Sequence, residues 1–206
     1  MHALTAEHFV TSHFPVPLDA DEIQLWFFPA TDKIRKNDQR VLQLLAAYLD
    51  CDPADLVVNH GEHGKPHLAP PRMLEFNLTH SADALLLGIS RNQALGVDIE
   101  GLRRARPVLD LAHRFFDPLE TAGLARLQPA LRQGAFLQLW SCKEAVVKAL
   151  GRGIGFGLAR VAFALDQNGQ PERLNVIDAS ALNVPEWQII QLVPDPGYVG
   201  ALAWRG

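Results

Sequence analysis

Two apolar segments separated by three polar residues constrain the fold of this chain more than any other feature of its sequence. Ala84–Ser90 and residues 94–99 are apolar almost throughout, which is typical of strands buried on both faces. Residues 91–93, Arg-Asn-Gln, lie between the two segments and have the polar character of a turn. The pattern therefore predicts a hairpin of two central strands.

Helix signals lie on both sides of these strands. Residues 33–49 place apolar side chains at helical spacing. Residues 117–120, Asp-Pro-Leu-Glu, put Asp at an N-cap, Pro at the first helical position and Glu at the third, which is a strong helix start. A longer helix is expected over residues 132–150, with Gly151 as its C-cap.

Strands are also predicted at residues 24–28 and, between turns, from residue 161 onward. Each half of the chain therefore contains both helix and strand. This arrangement predicts an α+β fold of two subdomains, residues 1–101 and 102–206, which meet near residues 100–107.

The composition excludes several classes of protein. The chain has 206 residues, of which 48% are hydrophobic, so it is long enough to bury a full core. No apolar run approaches the roughly 18 residues that a membrane span needs, and residues 1–10 lack the pattern of a signal peptide. Cys51 and Cys142 are too few for a disulfide scaffold. These features predict a cytoplasmic protein.

The charge is divided unevenly along the chain. The formal net charge of −4 argues against nucleic acid as a partner, but residues 1–100 carry 7 basic and 14 acidic residues, whereas residues 101–206 carry 12 and 9. The basic excess includes Arg103, Arg104 and Arg106. Two interpretations stay open, namely a solvated face and a docking surface for an acidic partner.

Asp98 and Glu100 end the second apolar segment. Positions two apart in a strand share a face, so both carboxylates should point the same way. Such a pair repels unless a cation neutralises it, and Mg²⁺ prefers a few carboxylates together with substrate phosphates and water. The alternative is that the acidic residues simply end the strand at the surface.

Trp140, Glu144 and Lys148 recur at intervals of four in the long predicted helix and therefore share one stripe. The ordinary explanation is a surface ion pair between Glu144 and Lys148. The functional alternative is that Glu144 supplies a third carboxylate, and Lys148 a cation, to a Mg²⁺-pyrophosphate site.

Five motifs, in order, carry a resemblance to a known family. They are GKP at residues 64–66, FNLTHS at 76–81, GVDIE at 96–100, FFDPLE at 115–120 and WSCKEAVVK at 140–148. Together they resemble the signature of the 4'-phosphopantetheinyl transferases, specifically the surfactin-synthetase-activating (Sfp-like) type. The resemblance covers about residues 60–155 and implies two similar α/β subdomains, related by a pseudo-twofold axis, with the active site at their interface.

The resemblance also implies a reaction and roles for particular residues. A serine of an apo carrier protein attacks the β-phosphate of coenzyme A, the phosphopantetheine arm is transferred, and adenosine 3',5'-bisphosphate leaves. Mg²⁺ would be held by Asp98, Glu100 and Glu144 together with the pyrophosphate. Lys148 would stabilise the phosphoryl charge, and Glu144 would act as metal ligand, as base, or as both.

Coenzyme A needs further donors outside the metal site. By the same resemblance, Thr79 and His80 match a pair at the 3'-phosphate, and Lys65 matches the lysine beside the adenine. The first 60 residues depart from the family pattern, so Lys33 and Arg40 are assigned to the nucleotide only because their spacing resembles that of a family arginine pair.

Three rival interpretations remain at this stage. A zinc site formed by Cys51, His60, His63 and His67 would use a spacing that matches no known zinc framework. The glycine-rich residues 151–157 follow a helix and are expected to form a connection beside the cleft rather than a dinucleotide loop. A non-catalytic module on the same fold would bind a carrier protein or a nucleotide. For the enzyme, one chain is expected to supply a complete site as a monomer.

Overall fold

The structure is a computed structural model that describes residues 3–10, 15–29, 39–71, 74–82, 84–177 and 186–206. Its strands are β1 (Ala3–Thr5), β2 (Ile23–Phe28), β3 (Val58–His60), β4 (Pro66–Leu68), β5 (Glu75–Ser81), β6 (Ala84–Ser90), β7 (Leu95–Gly101), β8 (Val161–Leu165), β9 (Pro171–Ile177), β10 (Trp187–Val193) and β11 (Tyr198–Arg205). Its helices are α1 (Gln39–Tyr48), α2 (Val108–Phe115), α3 (Pro118–Arg126) and α4 (Pro129–Ala149).

Two sheets form the centre of the molecule. One has the strand order β1-β10-β11-β7 and the other the order β2-β6-β5. Two hairpins, β3-β4 and β8-β9, complete the strand pairing of the described residues. The prediction of a mixed helix and strand fold is confirmed. β7 joins strands from the C-terminal part of the chain, and so does the N-terminal strand β1.

The predicted hairpin between residues 84–90 and 94–99 is wrong, although both segments are strands. β6 pairs with β2 on one edge and with β5 on the other, so neither edge is left for β7, which pairs with β11 in the other sheet. β7 instead packs against the face of β6. A Cβ atom on Gly88 would lie 2.5 Å from Cδ1 of Leu95 and 3.0 Å from Cγ1 of Val97.

The apolar pattern of β6 explains how the layers stack. Leu85, Leu87 and Ile89 share a cluster with the buried face of α1, whereas Leu86 shares one with Val97 and other residues of the neighbouring sheet. Alternate residues of a strand point to opposite faces, so β6 is buried on both sides. The far face of the second sheet is covered by α4. The order of layers is therefore α1, sheet, sheet, α4.

The helix signals are largely confirmed. At the start of α3, the Asp117 side chain accepts a hydrogen bond from the Leu119 N–H (2.8 Å), and the Glu120 side chain accepts one from the Asp117 N–H (3.0 Å). α4 begins three residues earlier than predicted and ends before Gly151, whose φ is +65°. α1 begins at Gln39, and residues 33–38 of its predicted span lie outside the described residues.

Within the described ranges, no helix is both long enough and apolar enough to cross a membrane.

Gly96 lets β7 approach α4 closely. A Cβ atom at this position would lie 2.0 Å from the Ala145 carbonyl oxygen and 2.4 Å from the Ala149 nitrogen. Both are backbone atoms of α4, which no change of side-chain rotamer can move. The close approach brings the next residues of β7 beside the face of α4 that carries Glu144 and Lys148.

Replacing Gly96 by alanine is expected to lower the free energy of unfolding by about 1–3 kcal/mol, because the added methyl group must push β7 away from α4. Gly134→Ala is the matched control, since a Cβ at this α4 position meets nothing within 4 Å. That variant should be up to about 1 kcal/mol more stable, because alanine favours a helix over glycine. Urea unfolding measures both. Equal stabilities of the two variants would contradict the close approach.

Candidate active site

The site lies where two end strands of the stacked sheets, β5 and β7, lie side by side. β5 is the last strand of one sheet and β7 the last strand of the other, and side chains connect them. Thr79 Oγ1 donates to Asp98 Oδ1 (3.1 Å), and Ser81 Oγ donates to Glu100 Oε2 (3.2 Å). Both carboxylates therefore point toward β5, and their shared direction agrees with the spacing of two. The region where β5 and β7 lie side by side is called the seam below.

Lys148 reaches the seam from α4. Its Nζ lies 2.6 Å from Asp98 Oδ1, 3.0 Å from Thr79 Oγ1 and 3.1 Å from the Val97 carbonyl oxygen. These three acceptors match the three N–H donors of an ammonium group. The explanation that Lys148 forms a surface pair with Glu144 is wrong, because Lys148 is paired with Asp98 and because Glu144 is buried.

Glu100 is held by a second cation. Arg106 Nη2 lies 2.6 Å from Glu100 Oε2, the oxygen that also accepts from Ser81, and the Ser81 oxygen in turn accepts from the Gly101 N–H (3.0 Å). Burial raises the pKa of Glu100, and the charge of Asp98 raises it further. Arg106 and the Ser81 hydroxyl act in the opposite direction.

Glu144 faces the acidic pair from α4. Only 7% of the residue is exposed, and burial, with a further contribution from the charge of Asp98, raises its pKa to about 7. Lys148 opposes this shift. Near neutral pH, Glu144 therefore holds a proton more readily than an exposed glutamate does. A carboxylate whose pKa lies near the working pH is suited to general base catalysis. A cation bound nearby would favour its ionised form, which is the form that accepts a proton.

The residues of the seam fit a cation that brings part of its own coordination shell. In the described part of the chain, no group of three or more His, Cys, Asp or Glu side chains is arranged to hold a metal ion. However, Asp98 Oδ2 is buried without a hydrogen-bond partner, which is costly for a carboxylate oxygen. Mg²⁺ commonly uses one or two carboxylates and takes its other ligands from phosphates and water.

Two cavities flank the seam. One of about 340 Å³ is lined by Lys65, Asn77, Glu144, Lys148 and residues of the glycine-rich connection. The other, of about 700 Å³, is lined by His80, Arg103, Arg104, Arg106, Tyr198 and residues near them. Catalytic candidates thus border the smaller cavity, and a basic rim borders the larger one.

The predicted coenzyme A residues lie in different places. Thr79 is buried in the seam, whereas His80, the next residue of β5, faces the larger cavity. Lys65 lines the smaller cavity and donates to the Leu95 carbonyl oxygen (3.0 Å), and burial lowers its pKa. Arg40 is exposed in the first turn of α1, and Lys33 lies outside the described residues.

The glycine-rich connection borders the smaller cavity, which agrees with its predicted place beside the cleft. Gly151, Arg152 and Gly153 line this cavity, and His63 of the β3-β4 turn lies opposite Gly153. The rival zinc ligands do not form a group arranged for a metal ion within the described ranges.

The sequence does not predict three features of the site. Ser81 shares the strand face of Thr79, and this spacing of two was a usable signal. In the sequence, Arg106 is distinguished only as part of a basic cluster. The third is a buried ion pair of Glu120 with Lys143, the residue before Glu144, whose Nζ–Oε2 distance is 2.6 Å. A lysine between the apolar residues of α4 was its only signal.

Known proteins are similar to this chain in sequence. The family model described as the 4'-phosphopantetheinyl transferase superfamily matches residues 94–203. The 4'-phosphopantetheinyl transferase HetI of a Nostoc species is 31% identical over 93% of this chain and 86% of its own length. The 4'-phosphopantetheinyl transferases psf-1 of Bacillus pumilus and Sfp of Bacillus subtilis are 40% and 29% identical over 69% and 65% of this chain, and each match spans 58% of the relative. The resemblance to this family is confirmed, and the chain belongs to the 4'-phosphopantetheinyl transferase superfamily, a family of transferase enzymes.

Proposed function

We propose that this protein transfers the 4'-phosphopantetheine arm of coenzyme A to a serine of an apo carrier protein. The serine oxygen forms a bond to the β-phosphorus, the bond from that phosphorus to the bridging oxygen breaks, and adenosine 3',5'-bisphosphate leaves. The observation that carries the proposal is the meeting of Asp98, Glu100, Glu144 and Lys148 at the seam. Membership of the transferase family favours this enzyme over a non-catalytic module.

The proposed metal is Mg²⁺, with Asp98, Glu100 and Glu144 as its protein ligands. The unpartnered Oδ2 of Asp98 supports a cation at this place. So do the raised pKa values of the two glutamates, because burial, and after it the charge of Asp98, disfavours their ionised forms, which a cation would stabilise. When bound together with the pyrophosphate, Mg²⁺ neutralises charge on the phosphoryl oxygens.

Lys148 and Glu144 have distinct proposed roles. Lys148 stabilises the charge of the phosphoryl group and the leaving group, for which one of its three protein hydrogen bonds is exchanged for a phosphate oxygen. Glu144 accepts the serine proton, either directly or through a water molecule, and its raised pKa suits this role.

The nucleotide is proposed to lie across both cavities. Lys65 is assigned to the adenine and His80 to the 3'-phosphate, supported by their places in the linings of the smaller and the larger cavity. Thr79 is the predicted partner of His80, but its hydroxyl is already bonded to Asp98 and Lys148. Arg40 and Lys33 stay predictions as nucleotide ligands.

The carrier protein is proposed to dock with an acidic helix on the basic rim of the larger cavity. We further infer that the division at residue 101, the pseudo-twofold relation of the two halves and a complete site in one monomer hold for this chain. A cytoplasmic location, with no nucleic acid or membrane as partner, likewise stays a prediction.

Intact mass spectrometry of an apo carrier protein tests the function. Incubation with this protein, coenzyme A and Mg²⁺ is expected to add one phosphopantetheine to the carrier. EDTA should abolish the gain, and excess Mg²⁺ should restore it. No gain with any of several acyl and peptidyl carriers would contradict the proposal, and a gain that persists in EDTA would contradict its metal.

The docking surface has a test of its own. Arg103 and Arg104 are both exposed beside the larger cavity. Reversing both to glutamate is expected to raise the KM for the carrier at least about tenfold, because complementary charge acts on encounter with the carrier. The KM for coenzyme A should change far less, because the nucleotide is proposed to be held by Lys65 and His80 rather than by these two arginines. Arg126→Glu, an exposed arginine at the end of α3, is the matched control. Equal changes in the two KM values would contradict the proposed docking surface.

A further inference from the structure

At the seam, hydrogen bonds of β5 side chains connect β5 to β7, and the two strands do not form a ladder of backbone hydrogen bonds. Asn77, Thr79 and Ser81 occupy one face of β5, two residues apart. Asn77 Oδ1 accepts from the Val97 N–H (2.8 Å), while Thr79 and Ser81 bind the acidic pair. Since β5 and β7 belong to different sheets, these side chains fix how one sheet edge lies against the other.

The two carboxylates of the acidic pair are held in the same way. Asp98 Oδ1 accepts from the Thr79 hydroxyl and from Lys148. Glu100 Oε2 accepts from the Ser81 hydroxyl and from Arg106. In each case one hydroxyl from β5 and one cation share a single carboxylate oxygen.

In each carboxylate the other oxygen takes no part in these bonds. Asp98 Oδ2 is buried and has no hydrogen-bond partner, and the bonds that Ser81 and Arg106 donate to Glu100 both go to Oε2 rather than Oε1. A hydrogen-bonded carboxylate cannot rotate without losing its partners, so the held oxygens also fix the direction of the leftover ones.

We propose that the hydroxyls of Thr79 and Ser81 are positioning groups that orient Asp98 and Glu100 for a divalent cation. In this role the hydroxyls act through the two carboxylates rather than by binding the cation themselves. They hold Oδ1 and Oε2 and thereby fix the directions of Oδ2 and Oε1, the oxygens that stay available to the cation. For Thr79 this is a role in the protein framework, distinct from contact with the nucleotide. The inference rests on the proposed metal dependence of the reaction.

Binding of Mn²⁺, followed by electron paramagnetic resonance with and without coenzyme A, tests the inference. Thr79→Val and Ser81→Ala keep the approximate shape of each side chain but remove the hydroxyl. Each variant is expected to bind Mn²⁺ about 10–100-fold more weakly than the unaltered protein, which is the usual effect of losing a group that orients a metal ligand. Thr79→Ser restores the hydroxyl and should recover the affinity.

Ser90→Ala and Thr121→Val are the matched controls, since both remove a buried hydroxyl away from the seam. Circular dichroism confirms folding of every variant. Unchanged Mn²⁺ affinity in folded Thr79→Val and Ser81→Ala, or an equal loss in the controls, overturns the inference. Asp98→Asn distinguishes a failure of this inference from a failure of the proposed metal site. If it abolishes Mn²⁺ binding while the hydroxyl variants bind normally, only the inference fails. If the unaltered protein binds no Mn²⁺ even with coenzyme A, the proposed metal fails with it.

Discussion

Asp98→Asn is expected to lower the rate of carrier modification on the order of 10²–10³-fold, the effect seen when one preorganised charge-stabilising group is removed from an active site. Asparagine keeps the size of the side chain, and its amide oxygen can still accept from Thr79 and Lys148. It removes the negative charge that pairs with Lys148 at 2.6 Å, and it replaces the unpartnered oxygen with an amide nitrogen. The kcat for a carrier protein, measured at saturating coenzyme A and Mg²⁺, gives the size of the effect.

A loss of fold must be separated from a loss of chemistry. Asp110→Asn changes an exposed aspartate of α2 and should leave the rate unchanged. Thermal unfolding of Asp98→Asn should remain cooperative. Raising Mg²⁺ should not recover the rate, because the missing charge also pairs with Lys148. A folded Asp98→Asn enzyme that keeps more than about a tenth of the rate would place the essential carboxylates elsewhere.

The acidic pair was predictable because its signal is local. The spacing of two between Asp98 and Glu100 fixes their common face in any strand, and the spacing of four between Glu144 and Lys148 fixes their common stripe in any helix. The partners of these residues were not local. Lys148 binds Asp98, fifty positions earlier, rather than Glu144 in its own helix, because Gly96 lets the strand approach the helix.

The prediction of a hairpin between β6 and β7 is wrong for the same reason. The sequence of two apolar strands and a short turn does not indicate which other strands pair with their edges. β5 and β2 occupy both edges of β6, so the chain after Ser90 crosses to the other sheet. Pairing of β7 with β11 depends on residues about a hundred positions away. Local patterns of hydrophobicity do not predict pairing between strands that are far apart in the sequence.

Breaking the buried pair of Glu120 and Lys143 is expected to cost about 3–5 kcal/mol of unfolding free energy, since it leaves one charge buried without its partner. Both side chains are at most 1% exposed. Lys143 also donates to the Leu158 carbonyl oxygen (3.2 Å), and Glu120 accepts from the Phe163 N–H (2.8 Å). The pair therefore ties α3 and α4 to the first strand after the glycine-rich connection. Urea unfolding of Lys143→Met and Glu120→Gln measures the cost.

The pH dependence of Lys143→Met has a definite sign. Burial raises the pKa of Glu120, and Lys143 opposes this shift, so removal of Lys143 raises the pKa further. A carboxyl whose pKa is raised in the folded state binds more protons there than in the unfolded state, so its contribution to stability falls as pH rises from the unfolded value through the folded one. The variant should therefore lose less stability, relative to the unaltered protein, near pH 5 than near pH 7.

The double variant Glu120→Gln with Lys143→Met separates the ion pair from the space that it fills. It leaves no buried charge, and glutamine can still accept from the Phe163 N–H, so it should recover more than half of the loss seen in either single variant. Arg205→Met breaks the exposed pair with Glu186 and should cost no more than about 1 kcal/mol. If the losses of the single variants simply add in the double variant, or if Arg205→Met costs as much as Lys143→Met, the pair does not hold α3 and α4 together through its buried charges.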